Sequence, residues 1–131
     1  MQPMRFDFDV ITNSDYTEEL SFQSDSGYVD ISGHGFLAQV RVSPNSTVVL
    51  FSLNTVGPVT QGFYPVEPIN GKLQIRVLWE TIRTAFVTAF PATLVGDAAS
   101  LYYDLLVSLP SGDQEVWLYG YFNMTKGITN G

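Results

Sequence analysis

Few residues in this chain have the types and spacing that chemistry needs. His34 is the single histidine, and it stands between two glycines in Ser32-Gly33-His34-Gly35. One histidine with no cysteine excludes multi-histidine metal sites, thiolate chemistry, zinc-thiolate sites and disulfide frameworks. No serine sits in a Gly-x-Ser-x-Gly elbow, so His34 reads as a turn residue and not as a catalytic base. Asp7 and Asp9 alternate along one stretch, and Asp25 and Asp30 flank Gly27. Two carboxylates on one strand face have the chemistry of a glycosidase acid and base, or of part of a calcium site. The Asp-x-Asp-x-Asp-Gly loop of a calcium site is absent, and the plain reading is a solvated strand face. Lys126-Gly127 lacks the preceding Gly-x-x-x-x-Gly of a phosphate loop. The expectation is therefore no enzyme activity, no catalytic residues, no cofactor and no metal.

The remaining candidate is aromatic. Trp117, Tyr119 and Tyr121 alternate with Val116, Leu118 and Phe122 along Glu115 to Met124. Strand geometry puts the two sets on opposite faces. If Leu118 and Phe122 face the core, Trp117, Tyr119 and Tyr121 form a candidate interface ladder or a sugar-stacking platform. A third reading covers that face with a helix over Glu80 to Ala89.

The elements that position these residues follow from hydrophobic period. Phe6, Phe8 and Val10 alternate with Asp7 and Asp9, and Tyr16 to Gln23 continues the strand pattern. Phe36, Ala38, Val40 and Val42 share a face opposite Leu37, Gln39 and Arg41. Ser43 to Ser46 is turn chemistry, and Thr47 to Leu53 reads as a strand in the middle of a sheet. Residues 54–71, rich in proline and glycine, read as a long loop with a short edge strand around Gly62 to Val66. Lys72 to Trp79 predicts a strand with Leu73, Ile75, Val77 and Trp79 inward. The period then shifts to helical over Glu80 to Ala89, and Pro91 ends the helix. Tyr102 to Leu109 and Glu115 to Met124 are strands joined by the turn Pro110 to Gln114. About seven or eight short strands with one brief helix predict an all-β, immunoglobulin-like antiparallel sandwich. No linker or repeat divides residues 1–131, which read as a single domain.

Composition narrows the partners. Six Lys and Arg residues, scattered singly in a chain of net charge −7, cannot form the basic stripe that phosphate backbones require. Nucleic acid and anionic membrane surfaces are excluded on that ground, and no apolar run reaches the roughly 20 residues of a membrane span. No secretory signal pattern is visible in Met1 to Val10. Charged residues make up 15% of the chain, well below the roughly 25% of an average domain. So little charge leaves the surface poorly solvated, which points to cover by a partner or by further copies of the chain.

Two segments carry a resemblance. Tyr28-Val29-Asp30-Ile31-Ser32-Gly33, followed by a strand ending in Val40-Arg41-Val42, resembles a Val-Asp-Leu-Thr-Gly motif leading into a strand with a terminal arginine. Tyr102-Tyr103-Asp104-Leu105-Leu106-Val107, the turn Pro110 to Asp113, and Trp117-Leu118-Tyr119-Gly120-Tyr121-Phe122 are similar to the closing hairpin of the same family. The Ile128-Thr129 ending resembles its Val-Thr ending. That family comprises small tail-associated and virion structural proteins of tailed bacteriophages, and extends to N-terminal domains of some baseplate and receptor-binding proteins. Residues 43–72 lie outside the resemblance, and the loop Pro91 to Ser100 is longer here than in the family. As folding devices, Asp30 and Gly33 fit a tight turn, Tyr103 a tyrosine corner, and Gly120 a bulge or close cross-strand approach. The resemblance implies a virion structural protein, assembled in the bacterial cytoplasm with other virion proteins and present in several copies or as a homo-oligomer. A receptor- or carbohydrate-binding module using the Trp117, Tyr119 and Tyr121 face is the alternative.

Overall fold

The computed structural model describes residues 3–90 and 98–127. The chain forms β1 (Met4–Arg5), β2 (Phe8–Ile11), β3 (Tyr16–Ser21), β4 (Gln23–Ser24), β5 (Gly27–Tyr28), β6 (Gly35–Arg41) and β7 (Phe51–Asn54). β8 (Gly62–Glu67), a 3-10 turn (Pro68–Asn70), β9 (Lys72–Val77), α1 (Trp79–Ala89), β10 (Ala98–Ser108) and β11 (Gln114–Thr125) follow. The larger sheet has the order β1-β11-β10-β6-β7, with β2 continuing the edge beside β11. The smaller has the order β3-β9-β8, and β4 and β5 make a small separate hairpin.

Lettered by the immunoglobulin scheme, β3, β9 and β8 are the B-E-D sheet, while β11, β10, β6 and β7 are the G-F-C-C′ sheet. The protein is an immunoglobulin-like β-sandwich with one short helix. Its pairing is antiparallel except at the N-terminal edge, where β1 and β2 run parallel to β11, and at an isolated parallel bridge between Thr55 and Phe63.

Alternation supplies the core. Phe36, Ala38 and Val40 of β6 pair with Val107, Leu105 and Tyr103 of β10, and all six are buried. Leu73, Ile75 and Val77 of β9 face them from the smaller sheet. Phe8 stacks on Phe122 with ring centroids 5.0 Å apart, which ties the N-terminal edge to the centre of the larger sheet. The buried residues form one hydrophobic cluster.

Several expectations need correction. Thr47 to Leu53 is not a central strand. Only Phe51–Asn54 is extended, it lies at the edge of the larger sheet, and Ser52 and Asn54 face solvent. Val42 lies beyond β6 and is exposed. Trp79 does not continue β9 but opens α1, half-exposed. The start of α1 is capped from a distance: the Asp15 carboxylate accepts from the Trp79 N–H at 2.8 Å, and the Gln61 side chain accepts from the Leu78 N–H at 2.9 Å. Ile82, Ala85 and Phe86 are the buried stripe of the helix. The segment Gly62–Glu67 is an edge strand of the smaller sheet. Residues 91–97 of the Pro91 to Ser100 loop, and Ile128-Thr129, lie outside the described residues.

Candidate interaction face

The aromatic strand β11 is broken by a bulge. Leu118 pairs with Leu105 of β10, but Val116 pairs with Leu106, so Trp117 is the extra residue between them. One inserted residue reverses the alternation on its N-terminal side. Trp117 consequently turns inward and is 3% exposed, against Phe22, His34 and Phe36. Its indole N–H donates to Glu115 Oε1 at 3.0 Å. Val116 takes the outward place instead. The ladder of Trp117, Tyr119 and Tyr121 read from the sequence is therefore not one face. Trp117 belongs to the core, while Tyr119 and Tyr121 point out.

What the outer face of the larger sheet presents follows from register. Tyr121 lies opposite Tyr102, and Tyr102 opposite Arg41. Tyr119 lies opposite Asp104, and Asp104 opposite Gln39. Val116 lies opposite Leu106, and Leu106 opposite Leu37. The result is an apolar row beside two aromatic and polar rows. The Tyr102 and Tyr121 rings meet edge to face, 5.8 Å between centroids. Arg5 sits over the Tyr121 ring at 5.5 Å and pairs with Asp7 at 3.2 Å, while Arg41 donates to Gln39 Oε1 at 2.6 Å. Partial burial pushes the Tyr102 hydroxyl pKa up, and the phenol is neutral at physiological pH.

The outer face of the smaller sheet differs in kind. It carries Thr17, Glu19 and Ser21 of β3, Lys72, Gln74 and Arg76 of β9, and Tyr64 and Glu67 of β8. Lys72 pairs there with Glu67 at 3.1 Å. The smaller sheet's outer face is mainly polar, whereas the larger sheet's mixes an apolar row with aromatic and polar ones.

Helix α1 does not lie over the aromatic face. It packs at the end of the sandwich, between Thr12 and Gly127 on one side and Leu50 and Phe51 on the other.

The remaining candidate residues are structural. The Asp30 carboxylate accepts from the Ser32 N–H at 2.9 Å, and hydrogen bonds from Ser32 hold its pKa below the usual carboxylate range. Gly33 has φ +75° at the third position of the turn closed by the His34 N–H to the Ile31 carbonyl, 3.2 Å. The His34 Nδ1 lies 3.1 Å from the Ser32 carbonyl oxygen. Tyr103 lies in the middle of β10, not at its start, and its hydroxyl donates to the Phe6 carbonyl at 2.5 Å. Gly120 is buried beneath that same bend.

Asp7 and Asp9 each bond to the neighbouring strand β11. Asp7 Oδ1 accepts from the Tyr121 N–H at 3.0 Å, and Asp9 Oδ1 accepts from the Asn123 amide at 3.1 Å. Among the described residues no three His, Asp or Glu side chains are grouped to hold a metal ion. Among the same residues no helix is long and apolar enough to cross a membrane.

Sequence reasoning placed Leu37 on the outward side of its strand but missed Leu106 and Val116 as outer-face residues. Leu106 was readable as an odd apolar residue on the outward side of its strand; Val116 was hidden by the bulge.

No family model matches the sequence, and no curated protein matches it. The structure is similar to a chain in the crystal structure of ICOS in complex with ICOS-L and an anti ICOS-L VNAR domain, at 12% sequence identity and a TM-score of 0.37. The likeness covers 96% of this chain and 55% of that one.

Proposed function

We propose that this domain is a non-catalytic structural subunit of a tailed-phage virion, held in the particle by protein contacts on the outer face of its larger sheet. The observation that carries the reading is the difference between the two outer faces. The smaller sheet shows solvent charges and hydroxyls, whereas the larger shows Leu37, Leu106 and Val116 beside Tyr102, Tyr119 and Tyr121. Tyrosine and arginine on a flat sheet are the residue types that anchor protein interfaces, because they cover area at small entropic cost. The low charge content supports the same reading, and the sequence resemblance supports the particle context.

The carbohydrate-platform alternative loses ground with Trp117 in the core. Of the three aromatics only Tyr119 and Tyr121 remain outward, and the Tyr121 ring meets its cross-strand neighbour Tyr102 edge to face at 73°, so those two rings form no coplanar pair for a sugar to lie across.

Two measurements test the proposal. Quantitative mass spectrometry of gradient-purified particles from the source of this gene finds the chain at a copy number matching a particle symmetry; absence from particles overturns the virion role. Leu106→Glu with Tyr119→Glu removes the chain from particles while leaving it folded by circular dichroism. Retention of the folded double variant overturns the face assignment.

A further inference from the structure

The two long sides of the sandwich are not closed in the same way. On the β7–β8 side the sheets are tied together, with Thr55 bridging Phe63 and the Val56 N–H donating to the Phe63 carbonyl at 2.8 Å. On the other side β1 borders the larger sheet and β3 the smaller, and no described strand pairs with the outer edge of β3. In an immunoglobulin sandwich strand A lies beside strand B, the place next to β3. Here the N-terminal strands pair with β11 instead, and among the described residues no strand takes that place. A groove of about 450 Å³ runs along the opening. Met4, Phe6, Leu20, Phe22 and Leu118 line it, with Met4 63% and Phe6 37% exposed.

The phase of the β3 ladder identifies the free backbone groups. The Phe22 N–H donates to the Gly71 carbonyl at 2.9 Å, so Phe22, Leu20 and Glu18 are the positions that bond toward β9. Thr17, Glu19 and Ser21 therefore turn their N–H and C=O groups toward the open side. An apolar groove beside such an edge is the geometry of strand addition, in which main-chain bonds give affinity and alternate side chains fill pockets.

Charge decides the occupant. Glu18 points into the groove, half-buried, and accepts the Tyr16 hydroxyl; Glu19 stands beside it on the solvent side. A second copy of this chain pairing antiparallel through β3 would set these glutamates against each other, which is unfavourable. The whole chain carries net charge −7. We infer that the β1–β3 seam receives an extended segment of another protein, added as a strand to β3, with alternating apolar residues in the groove and lysine or arginine against Glu18 and Glu19. This site is separate from the outer face of the larger sheet and does not depend on it.

The test uses the full chain and a synthetic peptide of roughly nine residues, the length of an ordinary strand, alternating valine with threonine and carrying two central lysines. Three relatives of it are compared: one N-methylated at alternate residues, one with glutamate for lysine, and one unchanged but offered to the Glu18→Gln/Glu19→Gln chain. The expected result is saturable binding with slowed hydrogen exchange at the Thr17, Glu19 and Ser21 amides. Affinity falls by about tenfold or more for each altered pairing. The Tyr119→Glu chain binds the parent peptide unchanged. No saturable binding of the parent peptide overturns the inference. So does binding indifferent to N-methylation, which is charge attraction without strand pairing, and so does loss of binding in Tyr119→Glu, which moves the peptide to the other face. The N-methyl comparison alters only the peptide and stands whether or not the glutamine variant folds.

Discussion

Tyr103, buried in the middle of β10, donates its hydroxyl to the main-chain carbonyl of Phe6, 97 residues away in sequence. That bond fixes a bend. Between Arg5, which pairs with Tyr119, and Phe8, which pairs with Phe122, the N-terminal strand leaves the ladder for two residues without losing register. Three contacts hold the bend: Tyr103 on the Phe6 carbonyl, the Phe6 N–H on the Tyr119 carbonyl at 2.9 Å, and Asp7 on the Tyr121 N–H. Burial pushes the Tyr103 hydroxyl pKa up, so the group stays a donor throughout the physiological range.

Removing that hydroxyl leaves the Phe6 carbonyl without its buried partner. Tyr103→Phe keeps the ring contacts with Phe8 and Phe122 and isolates the hydrogen bond. The expected cost is about 1–2 kcal/mol in urea denaturation, with faster cleavage of the N-terminal strand by protease. An unchanged denaturation midpoint would show that the hydroxyl contributes nothing to holding the bend.

Gly120 is required by the same bend. Its φ is +155°, and a methyl group there would collide with the Phe6 carbonyl oxygen and the Asp7 carboxylate. Gly120→Ala is expected to destabilise the chain by about 2–3 kcal/mol, more than an ordinary strand substitution. Double-mutant analysis with Tyr103→Phe should give less than the sum of the two losses, because both act on the Phe6 segment. Full additivity would mean that the two residues support different parts of the fold.

The fold was legible wherever period two ran unbroken. Phe36 to Val40 and Leu73 to Val77 have the predicted faces because one side of each strand meets the core and the other meets water. Trp117 shows where this kind of reading stops. A bulge adds one residue to a strand and leaves no mark in a hydrophobic pattern whose neighbours on both sides are apolar, so Val116 and Trp117 exchanged faces. Thr47 to Leu50 failed differently: a β-branched run favours extended backbone, but a strand also needs a ladder partner, and pairing with β6 starts only at Phe51, beyond a single bond from the Leu50 N–H to the Val40 carbonyl. The long-range caps of α1 by Asp15 and Gln61 carry no local signal at all, since each lies far from the helix in sequence.

Trp117 and Tyr119 respond oppositely to truncation if the bulge is where the structure places it. Trp117→Ala opens a cavity in the core and costs about 3–5 kcal/mol, whereas Tyr119→Ala, at a position 40% exposed, changes stability by no more than about 0.5 kcal/mol. Fluorescence gives an independent check. With Trp79→Phe as background, the emission of Trp117 is blue-shifted and poorly quenched by iodide. Red-shifted, readily quenched emission would return Trp117 to the outer face and remove the bulge.

Asp7 predicts an acid-dependent loosening of the N-terminal edge. The Arg5 guanidinium and the Tyr121 N–H both bond its carboxylate, and the Arg5 hydrogen bond is the larger cause of a pKa held below the usual carboxylate range. A group whose folded pKa is depressed stabilises the fold above its unfolded pKa and loses that contribution as pH falls through the folded value. Wild type is therefore expected to exceed Asp7→Asn in stability by a constant margin from about pH 5 to 8, and the margin should shrink below about pH 4. Arg5 is largely exposed and the pair is screened by salt, so the margin is also smaller at high ionic strength. Urea midpoints of the two proteins, measured side by side across that range, decide it. A margin at pH 3 as large as at pH 7 would mean that Asp7 acts through its shape at the bend and not through its charge.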